Sequence, residues 1–204
     1  MAYRRTTAVQ DRLDATRSRI VDAAHDLVAQ HGYAGCSVAL VAEAAEVATG
    51  SVYRHFPDKG ALFAEVFRMS TQREVDAVAA AAAVPGPITD RLTRAVETFS
   101  HRALAAPRLA YALIAEPVDP RVEAERLVFR RAWRDLFAGV VAEAVAAGEL
   151  PQQDPDVSAA AVVGALAEAI ITPLSPGAAA RRTHVVPELT AFVIRALGAT
   201  HADP

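Results

Sequence analysis

From Ser37 to Phe56 the chain fits two short helices and a tight turn between them, and this pairing constrains everything built around it. Ser37 is a good N-cap, since its hydroxyl can accept a bond from an orphan N–H of the first turn. Val38, Val41, Ala42 and Ala45 follow at helical spacing and make one apolar stripe. Glu46-Val47-Ala48 supplies the turn, with Val47 placed to plug the angle between the helices. In the second helix Val52 and Phe56 sit four apart and face inward, which leaves Thr49, Ser51, Tyr53, Arg54 and His55 on the outer face. That face carries hydroxyls, ring nitrogens and a guanidinium, the groups that meet phosphates and base edges. Two helices joined in this way describe a helix-turn-helix, whose second helix enters the DNA major groove.

The stretch Val38 to Phe67, with its core Tyr53-Arg54-His55-Phe56-Pro57-Asp58-Lys59 and Leu62-Phe63 after it, resembles the TetR family of bacterial transcriptional regulators. The likeness reaches back to about Thr16 and covers roughly a quarter of the chain. It implies an all-α protein: a helix-turn-helix DNA-binding domain over residues 1–60, a last helix running on to about residue 82 as a connecting lever, and a helical ligand-binding and dimerisation domain over 61–204. It also implies a sequence-specific repressor, released from double-stranded operator DNA by a small-molecule ligand and working as a homodimer in the cytoplasm. The DNA-contacting set carried over is Ser37, Thr49, Ser51, Tyr53, Arg54, His55 and Lys59. The other reading within this resemblance is a DNA-binding protein that needs a corepressor, or has an architectural role, with no inducer. A well-filled second domain favours that reading.

The chain departs from the family pattern twice. Glu46 stands where the family usually has Gly, and a positive φ there strains the backbone by about 1 kcal/mol. Ala48 stands where a Ser or Thr often caps the second helix; either the cap is lost, at about 1 kcal/mol, or Thr49 serves one residue late.

Charge alone does not point to DNA. The net charge is −3, and the first 59 residues carry seven Lys/Arg and seven Asp/Glu. The basic case is local: Arg4, Arg5, Arg12, Arg17 and Arg19 face only Asp11 and Asp14, so the first residues read either as a frayed terminus or as an arginine arm reaching for phosphates or a minor groove. Lys59 falls in the first turn of the helix after Pro57, where a cation opposes the helix dipole. It reads as a contact to an outside anion, DNA phosphate above all, or as a solvated lysine. At 52% hydrophobic residues the chain can bury a sizeable core. The one cysteine, Cys36, excludes an internal disulfide and reads as a redox sensor or as a small core filler, where the family usually has a buried Thr. No charge-free apolar run reaches the length of a membrane span, and no apolar stretch follows the first arginines, so neither a transmembrane helix nor a signal peptide is expected.

Helical patterns fill the rest. One runs from about Asp14 to His31, buries Ile20, Ala24, Leu27 and Val28, and stops at Gly32, a good C′ residue, with Tyr33 packed beneath. His25 and His31, six apart, do not share the face two metal ligands need. A lever helix buries Leu62, Phe63, Val66 and Phe67 and ends near the Pro-Gly-Pro at 85–87. Further helices are predicted from a Thr89 cap to Ala105, Pro107 to Ala115, Pro120 to Ala147, Pro155 to Ile171 with Pro173 and Pro176-Gly177 as breakers, and Pro187 to Gly198.

Between Val157 and Ile171 only Ser158 and Glu168 interrupt small apolar residues. A helix apolar all round must be covered on all sides, more than this chain alone can provide. With the last helix (Leu189, Phe192, Val193, Ala196, Leu197) it is expected to pair with its copy in a second subunit, through Val162, Ala165, Leu166, Ala169, Phe192 and Ala196. The resemblance implies that the middle helices then enclose a pocket; the candidate lining residues are Phe99, Leu104, Tyr111, Ile114, Phe129, Trp133 and Phe137, with an apolar or aromatic small molecule as the default occupant. The spacing of Phe129, Trp133 and Phe137 also fits plain core. Arg130 and Arg134 beside them could pair with Glu97, Glu116 or an acidic ligand. No Gly-rich phosphate loop, metal-spaced Cys/His set or nucleophile motif is present, and His101 with Glu97 reads as a surface ion pair, so neither an enzyme nor a cofactor is expected.

Overall fold

A computed structural model describes residues 7–175 and 179–199. Among these the chain is entirely helical: α1 (Thr7–His31), α2 (Val38–Ala44), α3 (Thr49–His55), α4 (Lys59–Ala83), α5 (Ile88–Ala105), α6 (Pro107–Ile114), α7 (Pro120–Ala146), α8 (Pro155–Leu174) and α9 (Ala179–Leu197). An N-terminal helix-turn-helix is followed by a helical domain, and α4 belongs to both. Its first half buries Leu62, Phe63, Val66 and Phe67 in one core with α1–α3, and its second half buries Val78 and Ala82 in another with α5, α7, α8 and α9.

The head forms as the spacing dictates. Ile20, Ala24 and Val28 of α1 are fully buried, with Leu27 half-buried beside them. The α1 helix stops at Gly32, whose φ of 75° suits a residue without a Cβ, and the Gly32 N–H bonds the Val28 carbonyl. Tyr33 then turns under the helix and meets Phe63 and Phe67 edge to face, at centroid distances of 5.3 and 6.3 Å. Asp58 caps α4 by accepting from the Ala61 N–H. Cys36 is buried and donates its thiol to the Gly32 carbonyl. Burial pushes this thiol's pKa up, which favours the neutral thiol and suits a core filler.

Several helix ends differ from expectation. The α1 helix already starts at Thr7, not at Asp14; Arg12, Arg17 and Arg19 ride on it, while Arg4 and Arg5 lie outside the described residues. Thr89 does not cap α5. It is buried within the first turn, and the Ile88 N–H is taken instead by the Glu149 carboxylate at 2.7 Å, from the turn after α7. Pro173 does not break α8. It sits in the last turn, buried one residue before the helix ends at Leu174. The α9 helix begins before Pro187, which stands inside it; Val186, Leu189, Val193 and Leu197 form a buried stripe across that position, so packing overrides the proline. The Pro176-Gly177 turn lies outside the described residues.

The α8 helix is long and apolar enough to cross a membrane by length and composition alone, with a mean hydropathy of 1.8, yet it packs against α7 and α9 as a core helix. Only about a third of it is buried, 33%. Val162 and Leu166 point into the protomer's own core, so they cannot meet a second subunit as expected. The face left open holds Val157, Ala161 and Ala169, flanked by half-buried Ala165, and α9 adds Phe192, 46% exposed, and Ala196.

Candidate DNA-reading face and effector cavity

The reading face begins with α2 and α3. Ser37 caps α2 by accepting from the Leu40 N–H at 3.2 Å. Val38, Val41, Ala42, Ala45, Val52 and Phe56 are buried, and Val47 packs half-buried against the same core. The turn hinges on Glu46, at φ 54°. This left-handed conformation costs a residue with a Cβ about 1 kcal/mol. Ala48 occupies the cap of α3 and no side chain bonds the helix start; Thr49 does not take over.

What this leaves in solvent is a compact polar face. Ser37, Thr49, Tyr53 and Arg54 are exposed, Tyr53 by 51%, and Ser51 and His55 are half-buried at its edge. Gly50 lies open as well, with nothing close to where a Cβ would stand. Lys59 behaves differently. It is half-buried, and its ammonium lies 4.5 Å from the Tyr33 ring centroid and 5.5 Å from that of Phe63, a cation–π seat rather than a free lysine. Arg17 of α1 sits over the Phe56 ring at 4.9 Å and pairs with Glu65, tying α1 to the end of α3 and to α4.

Among the middle helices lies a cavity of about 590 Å³. Phe99, Ile114, Phe129, Arg130, Trp133 and Phe137 all line it. Tyr111 and Leu104 do not; they pack against Ala103, Ala110, Ile170 and Leu174. Trp133 meets Phe99 edge to face at 5.7 Å. Arg130 and Arg134 pair with neither Glu97 nor Glu116, and His101 forms no ion pair with Glu97.

Glu116 is engaged elsewhere, at a joint the sequence did not reveal. From the turn between α6 and α7 it reaches the end of α1 and accepts from the Tyr33 N–H at 2.8 Å and the Ala34 N–H at 2.9 Å. The turn itself is held by Arg126, which donates to the carbonyls of Ala112, Leu113 and Glu116 and pairs with Glu123. Burial lowers the Arg126 pKa; with its donors satisfied this way, the guanidinium stays charged. Arg126 also lines the cavity. One side chain therefore touches both the cavity wall and the turn that grips the head. Leu109, Ala112 and Val122 enter the head's core at the same corner. Outside it, Arg68 pairs with Glu125, Arg121 pairs with Asp58, and α7 comes so near α4 that a Cβ on Gly60 would stand 2.6 Å from Asp119 Oδ1.

A short helix with an exposed polar face, jointed to a hollow helical body, is the fold of a helix-turn-helix protein. Residues 20–66 match the family described as bacterial regulatory proteins, tetR family. The chain is 42% identical over 55 residues to the HTH-type transcriptional regulator AcrR of Shigella flexneri, covering 27% of this chain and 26% of that protein. It is 35% identical over 83 residues to the HTH-type transcriptional repressor Rv1474c of Mycobacterium tuberculosis, covering 41% and 44%. These matches thus span less than half the length of either relative. The fold matches that of the fatty acid degradation regulator FadR from Bacillus halodurans with a TM-score of 0.77, over 91% of this chain and 97% of that one at 21% identity. The family match thus covers the head of the chain, from within α1 to within α4.

Proposed function

We propose that the protein is a homodimeric, sequence-specific repressor, acting in the cytoplasm, that a small molecule in the body cavity releases from its operator. The observation carrying this reading is the shared joint: Arg126 lines the cavity and holds the turn whose Glu116 carboxylate grips the end of α1. An occupant that displaced Arg126 would shift the anchor of the head. Coupling energies of about 1–3 kcal/mol are typical of such switches. The lever α4 offers a second route, since it runs through both cores.

The proposed DNA contacts are Thr49, Ser51, Tyr53, Arg54 and His55 of α3 with Ser37 of α2. Lys59 would have to leave its ring seat to reach a phosphate. The open face of α8 and α9 supports dimerisation through Val157, Ala161, Ala165, Ala169, Phe192 and Ala196. Its small residues allow close approach of helices, and an apolar helix this exposed needs cover. Two copies would present two recognition helices, about 34–36 Å apart when they address successive turns of DNA. A hollow body, rather than a filled one, weighs against a regulator that responds to no ligand.

The test is retention of DNA from upstream of the protein's own and neighbouring genes, against scrambled DNA, at about 150 mM salt, where non-specific binding is weak. Selective retention of one segment, and its release by a compound that enters the cavity, is the expected result. Equal binding to scrambled DNA overturns the reading.

A further inference from the structure

The cavity carries a charge imbalance that folding does not require. Five arginines line it, Arg102, Arg126, Arg130, Arg131 and Arg134, against Glu74 and Glu168. Two of the arginines are answered within the protein. Arg102 grips Glu74 through two hydrogen bonds, and Arg126 is held by Glu123 and three carbonyls. Arg130, Arg131 and Arg134 make no ion pair or hydrogen bond with any described residue, and only Glu168, itself unpaired, shares the cavity with them.

Their placement is unfavourable for the helix that carries them. Arg126, Arg130 and Arg134 stand four apart in one row on α7, and like charges at that spacing destabilise a helix. The crowding reaches Arg126, whose pKa is lowered by burial first and further by the charge of Arg130. The cavity lining is graded in exposure: Phe137 and Leu166 are buried, Phe99 and Trp133 half-buried, and Arg130, Arg131 and Arg134 exposed, which puts these three at the rim.

We infer that the cavity takes an anionic amphiphile, whose apolar body lies against Phe99, Trp133 and Phe137 and whose carboxylate or phosphate head is held by Arg130 and Arg134 at the rim. This rests on the cavity being the effector site, as proposed above, and takes the acidic ligand that the sequence left open over the apolar default. The planar guanidinium fork matches both kinds of head. A neutral or cationic ligand of the same shape leaves the row unanswered.

Trp133 is the chain's only tryptophan and lines the cavity, so its fluorescence reports occupancy directly. The full-length protein is titrated with laurate, lauroyl-coenzyme A, dodecanol and dodecyltrimethylammonium below their aggregation limits, with operator release followed in parallel. Laurate or its thioester is expected to bind at least about tenfold more tightly than dodecanol, the gain a charge-assisted contact brings. Preference for laurate marks a free acid, and preference for the thioester marks a head built on carrier phosphates. The double variant R130Q/R134Q, altered only at exposed positions, should lose that preference and still bind dodecanol. Tighter binding of the alcohol or the ammonium, or an unchanged anion affinity in R130Q/R134Q, overturns the anion and leaves the effector cavity standing. Silence of Trp133 toward all four probes overturns both.

Discussion

The head and the body are built from the same element and differ in how far they are filled. In the head, α1–α3 and the start of α4 close around Tyr33, Phe56, Phe63 and Phe67 in one packed core. In the body, α5–α9 leave a cavity of about 590 Å³ inside and an apolar face outside. A packed core holds one geometry and so can present Tyr53 and Arg54 at a fixed angle. A hollow one has room to change when something enters. The two meet at the Glu116 joint, where rigidity on one side would turn rearrangement on the other into a displacement of the reading face.

The comparison can be broken most forcefully at its packed end. Phe63→Ala removes a fully buried ring and should cost about 3–5 kcal/mol, read by chemical denaturation, with loss of DNA binding. A loss below 1 kcal/mol would show the head to be as yielding as the body. On the outside of the body, Ala161→Arg puts like charges against each other across the proposed two-fold interface, at several kcal/mol. The protomer's helicity should be unchanged, because Ala161 is exposed, while the protein runs as a monomer in size-exclusion chromatography and loses operator affinity.

Tyr53→Ala is expected to weaken specific DNA binding by about 1–3 kcal/mol, the range of a good base contact, with the melting temperature unchanged. Unaltered affinity contradicts the assignment of the reading face. Glu116→Gln keeps the shape of the joint and removes its charge, so about 1–2 kcal/mol of stability should be lost. Its distinguishing sign is decoupling: ligand still perturbs Trp133 but releases operator less well. Glu46→Gly relieves the left-handed strain and should stabilise by roughly 0.5–1 kcal/mol, an effect confined to the head.

The smallest effect concerns Cys36. Its raised pKa means the folded state holds the thiol proton more tightly than the unfolded chain. This contribution is complete below the ordinary thiol pKa and is lost as pH rises through the folded value. The native protein should react slowly with a thiol reagent at neutral pH and promptly once unfolded.

How much of this was legible follows from the range of the contacts. The helix-turn-helix could be read because its determinants are neighbours: Ser37 caps Leu40 three residues on, and Val52 and Phe56 share a face by spacing alone. The aromatic stripe Phe129, Trp133, Phe137 was visible for the same reason, though spacing could not say whether it faced a core or a cavity. Tyr111 packs with Ile170 and Leu174 and stays off the cavity wall, a choice that spacing along α6 does not encode. Val162 and Leu166 face the protomer's own core rather than a partner; α8 is apolar all round, so no pattern in the sequence distinguishes its inner face from its outer one. Lys59 was read as facing outward because its seat, the Tyr33 ring, lies 26 residues away in sequence.

The sequence by itself therefore determined the helices, the outward polar face of α3 and the resemblance of the head to the TetR family, all set by periodicity, caps and turns within a few residues. Only the tertiary structure decided the inner face of α8, the three unanswered arginines at the cavity rim and the grip of Glu116 on Tyr33 and Ala34. Each of these depends on what a side chain meets after the chain has come back on itself, and no local pattern encodes that meeting.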